Sequence, residues 1–245
     1  MRKYLFTMLT LVLMGMALTG CNHDMDLYNA GTPEKSKEAK EHQLELLKSE
    51  YSAVFEVSFG RVGKDVDWGF SDEAGTRSGA QGCYRIIAED FEAKSETDFD
   101  FNDVVFDILG VEGDKTRLRL LAAGGIYKLT VGGIEVHEAL GAEQGENGLY
   151  PMISTGGDSG YAPVEILIDG RYETPEQIKG IDIKVHRQGF EEEGIPLEAE
   201  KGKPACKILV DSDFTIIGEQ KNIASEQENF TTYVHGDFEG HHWWK

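Results

Sequence analysis

Short apolar runs, separated by turns that contain glycine, recur along the chain from Cys83 onward. The continuous run Val104-Val-Phe106 is typical of a strand buried on both faces, and Gly132-Gly133 between two such runs predicts a hairpin. The segments that predict strands are 83–90, 104–106, 117–121, 127–131, 134–137, 164–168, 181–185 and 206–210. No convincing helical pattern follows about residue 60, except that the tail at 219–245 could hold a short helix. The pattern therefore favours a mostly β fold, an antiparallel β-sandwich or jelly roll.

A helical pattern precedes these strands. Residues 35–52 predict a helix because Leu44, Leu47 and Tyr51 fall on one apolar stripe. A single stripe indicates that the helix docks on another surface, so segment 35–82 is interpreted as a helix and linker packed on a β-domain at 83–245. Within this linker, Trp68 is expected to anchor the core rather than to bind a ligand.

The first 20 residues have the pattern of a secretory signal peptide, with Arg2 and Lys3 before an apolar run that is too short for a membrane span. The ending Leu18-Thr-Gly-Cys21 resembles a bacterial lipobox, in which the cysteine is acylated and becomes the mature N-terminus. The acidic residues at 22–26 resemble signals that send lipoproteins of Bacteroidetes-type bacteria to the cell surface. The sequence thus predicts a signal at 1–20, a lipidated tether at 21–34 and an outer-membrane location, and it leaves the periplasmic and the surface orientation both open.

The charge of the chain narrows the possible partners. With 24 basic and 44 acidic residues in 245, the formal net charge is -20. Such a surface repels phosphate backbones and attracts hard cations, so the sequence excludes a nucleic-acid partner and favours a divalent metal. The length suits one sizeable domain with an N-terminal extension.

Acidic side chains are concentrated immediately before the buried run at Val104. In an extended chain, Asp98, Asp100 and Asn102 would project to one wet, anionic face, while Phe99 and Phe101 would point into a core.

Calcium prefers six to eight oxygen ligands, many of them carboxylates. Glu89 and Asp90 end the preceding strand and could reach the same place if the two strands are neighbours. Asp103 could act as a further ligand or accept backbone N–H bonds that shape the loop. The predicted structural calcium site comprises Glu89, Asp90, Asp98, Asp100, Asn102 and Asp103.

The acidic segment has several alternative interpretations. The acids could simply end a strand and solvate a sheet edge. An EF-hand is excluded, because that motif needs glycine where Asp103 stands and glutamate where Leu109 stands. Paired carboxylates could hydrolyse glycosides, but no acid with a raised pKa can be picked out beside an ionised partner, so no catalytic residue is assigned. Scattered histidines without metal-ligand spacing make a zinc site a poor interpretation.

Two cysteines remain besides Cys21. Cys83 and Cys206 could form a disulfide in an oxidising compartment, or they could be two small buried apolar residues. The sequence leaves both interpretations open.

The pair Glu89-Asp90 followed by Asp98-Phe-Asp-Phe-Asn-Asp-Val-Val-Phe106 resembles the signature of LruC-type domains of bacterial surface lipoproteins. Further similar blocks lie at 55–68, 122–138, 151–156 and 222–244, so the resemblance covers about residues 50 to 245. The chain departs from the family pattern at 213–219, which lacks a Trp-Pro pair, and at Ser154, where asparagine is commoner. The resemblance implies a β-rich, lipid-anchored, calcium-binding module without a defined enzymatic activity.

Taken together, the patterns predict a lipoprotein of the cell envelope that acts as a binding or interaction module for a glycan, a peptide or another envelope protein. Two alternatives are an accessory subunit of a surface uptake or filament complex, and a carbohydrate-active hydrolase.

Overall fold

The structure is a computed structural model that describes residues 33–69, 84–90, 97–156, 159–239 and 242–245. The chain divides into two compact units, Met1–Lys48 and Ser49–Lys245. Both β-sheets and the candidate site belong to the second unit. The predicted signal peptide and Cys21 lie outside the described residues. Within the described ranges, no helix is both long and apolar enough to cross a membrane.

The described part of the chain contains two sheets with antiparallel pairing. The strands are β1 (Tyr84–Ala88), β2 (Val104–Glu112), β3 (Lys115–Ala123), β4 (Lys128–Val131), β5 (Ile134–Glu135), β6 (Ile153–Ser154), β7 (Val164–Asp169), β8 (Ile183–His186), β9 (Ile195–Pro196) and β10 (Lys207–Asp211). The larger sheet has the order β10-β1-β2-β3-β6, with β7 also paired to β3, and the smaller sheet has the order β5-β4-β8-β9. The predicted fold class, mostly β with antiparallel sheets and an N-terminal helix, is confirmed.

The helices differ in part from the prediction. They are α1 (Pro33–Phe59), α2 (Val136–Ala139), α3 (Pro175–Lys179), α4 (Ile223–Glu226) and α5 (Phe230–His235). Helix α1 continues past residue 52 because Phe55 and Phe59 extend the buried stripe of Tyr51 at four-residue spacing. The expectation of no helix between residue 60 and the tail is wrong, because α2 and α3 lie there, whereas the short helix expected in the tail is confirmed by α4 and α5. These later helices are four to six residues long and are fixed by local caps, so they leave little periodicity in the sequence.

Strand β2 lies at the centre of the larger sheet, between β1 and β3. Val104, Val105 and Phe106 are fully buried, as their continuous apolar character predicts. The acidic segment therefore leads into a central strand rather than an exposed edge.

An aromatic cluster connects the end of α1 to the acidic segment. Phe99 packs against Tyr51, Phe55 and Phe59, with ring centroids 5.7, 5.6 and 5.1 Å apart. Phe59 in turn contacts Phe230 of α5 at 5.1 Å. The packing of the acidic segment is thus continuous with that of α1 and the C-terminal region.

Trp68 lies within the same core. Its ring is fully buried and stands 6.1 Å from Phe55 and 5.5 Å from Tyr233, and its indole N–H donates to the Lys203 carbonyl at 2.6 Å. The prediction that Trp68 anchors the core is confirmed.

Candidate metal centre

Strand pairing brings the two acidic segments together. Glu89 and Asp90 follow β1 directly, and residues 98–103 lead directly into β2. Ala88, the last residue of β1, is paired with Val104, the first residue of β2. Because the strands are antiparallel, the last residue of one and the first residue of the other lie at the same end of the sheet. The two strands are therefore neighbours, as a single acidic cluster of both segments requires.

The backbone of the acidic segment is not extended. Phe99 and Phe101 have φ angles of 57° and 54°, in the left-handed region that residues other than glycine seldom adopt. A chain with left-handed residues at alternate positions cannot run as a flat strand. Both rings are buried as predicted, but Asp100 and Asn102 are only 2% and 4% exposed. The expectation of a wet, anionic strand face is therefore wrong.

Three of the predicted ligands form one group. Carboxylate oxygens of Glu89, Asp98 and Asp100 all lie within 4.8 Å of one another. Glu89 and Asp100 are buried, whereas Asp98 is half-buried. Oxygens at such separations could share one cation.

Backbone hydrogen bonds position two of these carboxylates. Glu89 Oε2 accepts the Phe101 N–H at 2.9 Å. Asp100 Oδ1 accepts the Asn102 N–H at 3.1 Å, and Asp100 Oδ2 accepts the Gln220 N–H at 3.2 Å. The unusual backbone at residues 99–101 is thus held by the same acids that form the group.

Asp90 and Asp103 form a second part of the site. Asp103 Oδ2 accepts the Asp90 N–H at 2.7 Å, one of the two roles that the sequence allowed for Asp103. A Cβ atom built on Gly125 would lie 3.1 Å from Asp90 Oδ2 and 3.3 Å from Asp103 Oδ1. Both carboxylates therefore lie against the Gly125 backbone, and their role as metal ligands stays a prediction.

Asn102 is held by its amide nitrogen. Nδ2–H donates to Asp100 Oδ2 at 2.7 Å and to the Ile217 carbonyl at 3.1 Å. Asn102 Oδ1 is buried and, among the described residues, accepts no hydrogen bond. A buried amide oxygen without a donor is unfavourable, and a cation is one group that would satisfy it.

Burial and like charge disfavour ionisation within the cluster. Burial raises the pKa of Glu89 well above its usual range, and the charges of Asp103 and Asp100 raise it further. The pKa of Asp100 is raised to about 9 by burial and then by the charges of Asp98 and Asp103. A divalent cation would offset both effects by supplying an opposite charge.

One acidic neighbour of the cluster, Glu219, carries no recognisable signal in the sequence. Glu219, in the C-terminal segment, is close enough for its charge to contribute to the raised pKa of Asp100. It lies far along the chain, in the stretch where the LruC-type pattern does not fit, so neither spacing nor resemblance could have identified it.

Two further candidate residues, Cys206 and His137, are buried in the protein. Cys206 is a buried free thiol, and Cys83 lies outside the described residues. His137 is fully buried, with Nδ1 2.7 Å from Glu135 Oε1 and Nε2 2.8 Å from the Gly125 carbonyl. His137 therefore fixes the backbone beside the acidic cluster.

Comparison with family models, with curated proteins and with solved structures finds no match to this chain. The resemblance to LruC-type domains rests on the sequence motifs alone and stays a prediction.

Proposed function

We propose that this chain is a cell-envelope lipoprotein, anchored in the outer membrane through Cys21, whose β-domain is a binding or interaction module stabilised by calcium. The observation that carries the proposal is the convergence of Glu89, Asp98 and Asp100 oxygens within 4.8 Å. The LruC-type resemblance supports the same assignment from the sequence.

The chemistry of the donors favours calcium over other metals. The grouped ligands are all carboxylate oxygens, whereas structural zinc sites use cysteine and histidine. Magnesium requires near-ideal octahedral geometry, while calcium accepts irregular sets of six to eight oxygens. Glu89, Asp98 and Asp100 would hold the ion, and Asn102, Asp90 and Asp103 are the further candidate oxygens. The ion would supply positive charge that fixes the acidic segment.

Burial favours a structural ion over glycoside hydrolysis. Glu89 and Asp100 are 1% and 2% exposed, and both accept backbone hydrogen bonds. A hydrolase must present its acid and its partner carboxylate to a sugar on both sides of the scissile bond. These two side chains could not do so without a rearrangement of the loop.

Isothermal titration of the full-length chain with CaCl2 tests the ion. We expect one saturable site and a rise in melting temperature, since a ligand that binds only the native state stabilises it. As a control, Glu146→Gln removes one negative charge from an exposed loop after α2, outside the proposed site, and should leave calcium binding unchanged. Absence of heat together with an unchanged melting temperature would contradict the proposal.

The anchor and the partner need separate tests. Cys21→Ser should abolish incorporation of a labelled fatty acid and release the protein from the membrane fraction. Retention of both label and membrane association by this variant would contradict the anchor. A glycan array combined with a reducing-sugar assay separates a binder from a hydrolase, and affinity capture from membranes tests the subunit alternative.

A further inference from the structure

A C-terminal segment lies against the acidic segment. We call residues 217–223 the strap. Its hydrogen bonds to the acidic segment are Asn102 Nδ2–H to the Ile217 carbonyl (3.1 Å), the Gln220 N–H to Asp100 Oδ2 (3.2 Å), Asn222 Nδ2–H to the Asp98 carbonyl (3.3 Å) and the Ile223 N–H to the Phe99 carbonyl (2.9 Å). The two segments are thus joined along their whole contact.

Glu219 lies within the strap and faces the same place as Asn102. A Cβ atom on Gly124 would stand 2.6 Å from Glu219 Oε1 and 2.0 Å from Asn102 Oδ1. The two oxygens therefore converge on one point of the Gly124 backbone. Because Asn102 Oδ1 is buried and accepts no hydrogen bond from the described residues, this point holds an oxygen that still needs a positive neighbour.

The proposed calcium site needs more oxygens than its three grouped carboxylates supply as single ligands, since calcium takes six to eight. Asn102 links the two places: its Nδ2–H donates to Asp100 Oδ2 at 2.7 Å, and its Oδ1 faces Glu219. The charge of Glu219 also contributes, as the smallest of the named causes, to the raised pKa of Asp100, which is a member of the group.

We propose that Glu219 and Asn102 Oδ1 complete the coordination of the cation, so that calcium binding clasps the strap onto the acidic segment. This inference rests on the calcium site of the proposed function and adds a ligand from a distant part of the chain. Calcium then controls how firmly the C-terminal region is seated. Without the ion, the charge of Glu219 acts together with those of Asp98 and Asp103 against ionisation of Asp100.

The first test compares calcium affinity in three full-length proteins by isothermal titration. Glu219→Gln removes the charge of one ligand. It should raise the dissociation constant for calcium about tenfold or more, because affinity depends on the number of charged ligands. Glu228→Gln removes the same charge from an exposed position further along the chain and should match the wild type. Melting temperatures in chelator that are no lower for the two variants than for the wild type would establish that the substitutions leave folding intact.

The second test follows seating of the strap by limited trypsin digestion. Lys221 is exposed within the strap, and Lys201 is exposed in a turn elsewhere. Calcium should slow cleavage after Lys221 but not after Lys201, and Glu219→Gln should lose this protection.

The outcomes separate the two proposals. The role of Glu219 as a ligand would be overturned if Glu219→Gln bound calcium with the wild-type dissociation constant and calcium did not change the rate of cleavage after Lys221. The proposed calcium site itself would remain supported by that result. Failure of the wild type to bind calcium at all would overturn both.

Discussion

At Asp100, burial, hydrogen bonding and like charge act on a single carboxyl group. It accepts the Asn102 and Gln220 N–H groups, and its pKa is raised to about 9 by burial and by the charges of Asp98 and Asp103. Without a cation, this group therefore holds a proton at neutral pH. Calcium must displace that proton in order to bind.

Replacing Asp100 with asparagine separates the charge from the shape. Asparagine keeps the size of Asp100 but has only one acceptor oxygen, so at least one N–H group loses its partner and Asp100→Asn should lower the melting temperature in chelator modestly. The same variant should lose most of the stabilisation by calcium, because a neutral amide cannot replace a carboxylate ligand of a hard cation. Thermal unfolding with chelator and with saturating calcium checks both expectations. Equal losses under the two conditions would instead indicate that Asp100 acts only through its hydrogen bonds to the backbone.

The raised pKa of Asp100 also sets a pH dependence. The native carboxyl keeps its proton up to about pH 9, whereas the unfolded one releases it near its ordinary value of 3.8. Between these values the native state binds more protons, so the stability of the cation-free protein should fall as pH rises. Below pH 3.8 the carboxyl is protonated in both the native and the unfolded state, so Asp100 adds no further pH dependence to the stability. Melting temperatures in chelator from pH 5 to 9 measure this; a rise across the range would contradict it.

Calcium affinity should change in the opposite direction. Ionisation of Asp100 and Glu89 becomes easier as pH rises, so the dissociation constant should decrease from pH 6 to pH 8 and binding should release protons. Titration in two buffers with different ionisation enthalpies counts the protons released. A dissociation constant that does not vary with pH would contradict the assigned ligands.

Single residues also show where the sequence stopped being informative. The alternation of acids with Phe99 and Phe101 was enough to predict a cluster with buried rings, because the residue types state what is polar and what is apolar. It could not predict positive φ angles at two phenylalanines, since local preference opposes them. That conformation depends on partners distant in sequence, including Tyr51 and Phe55.

Among the elements, the strands were the easiest to predict. Residues 117–121 lie within β3, 164–168 within β7, and Gly132-Gly133 forms the expected hairpin between β4 and β5, with φ angles of 56° and 84°. The short helices before the tail were missed, although α3 carries a readable signal: Thr174 and Gln177 form a capping box around Pro175. Short elements fixed by such caps are found from turn chemistry rather than from periodicity.

The loop after β3 must pass close to the acidic segment, which makes Gly124 sensitive to substitution. In Gly124→Ala, the new methyl group would stand 2.0 Å from Asn102 Oδ1 and 3.0 Å from the Asn102 carbonyl. We expect a loss of about 1–3 kcal/mol in the free energy of unfolding and weaker calcium binding. Gly156→Ala is the control, because among the described residues its Cβ would meet only Ser154 Oγ, at 3.8 Å. Urea unfolding measures both variants, and similar stabilities would contradict the close approach.

Docking of α1 depends on the acidic segment through Phe99. Removing this ring in Phe99→Ala would leave a cavity against Phe55 and Phe59 and should cost about 3–5 kcal/mol in the free energy of unfolding. Val57, on the same helix, is 87% exposed, so Val57→Ala should change stability by no more than about 0.5 kcal/mol. Urea denaturation of both variants in chelator isolates packing from metal binding. A small effect of Phe99→Ala would show that the helix docks without the acidic segment.

For the whole molecule, the net charge of -20 complicates any test of a specific calcium site. Like charges repel one another more strongly in the compact state, and any dissolved cation relieves this by screening. Sodium chloride should therefore stabilise the protein even if the cluster binds nothing. A calcium effect carries information about the site only at constant ionic strength and beside another divalent ion.

We expect calcium at about one hundred times its dissociation constant to add about 2.7 kcal/mol, or about 5–10 °C in melting temperature for a domain of this size. Magnesium at the same concentration and ionic strength should give a smaller rise. Magnesium requires near-ideal octahedral geometry, whereas calcium accepts an irregular set of oxygen ligands. Asp100→Asn should abolish the difference between the two ions while keeping the stabilisation by sodium chloride, which depends on net charge alone. Equal rises with both ions, retained in Asp100→Asn, would place the effect in the diffuse ion atmosphere rather than at Glu89, Asp98 and Asp100.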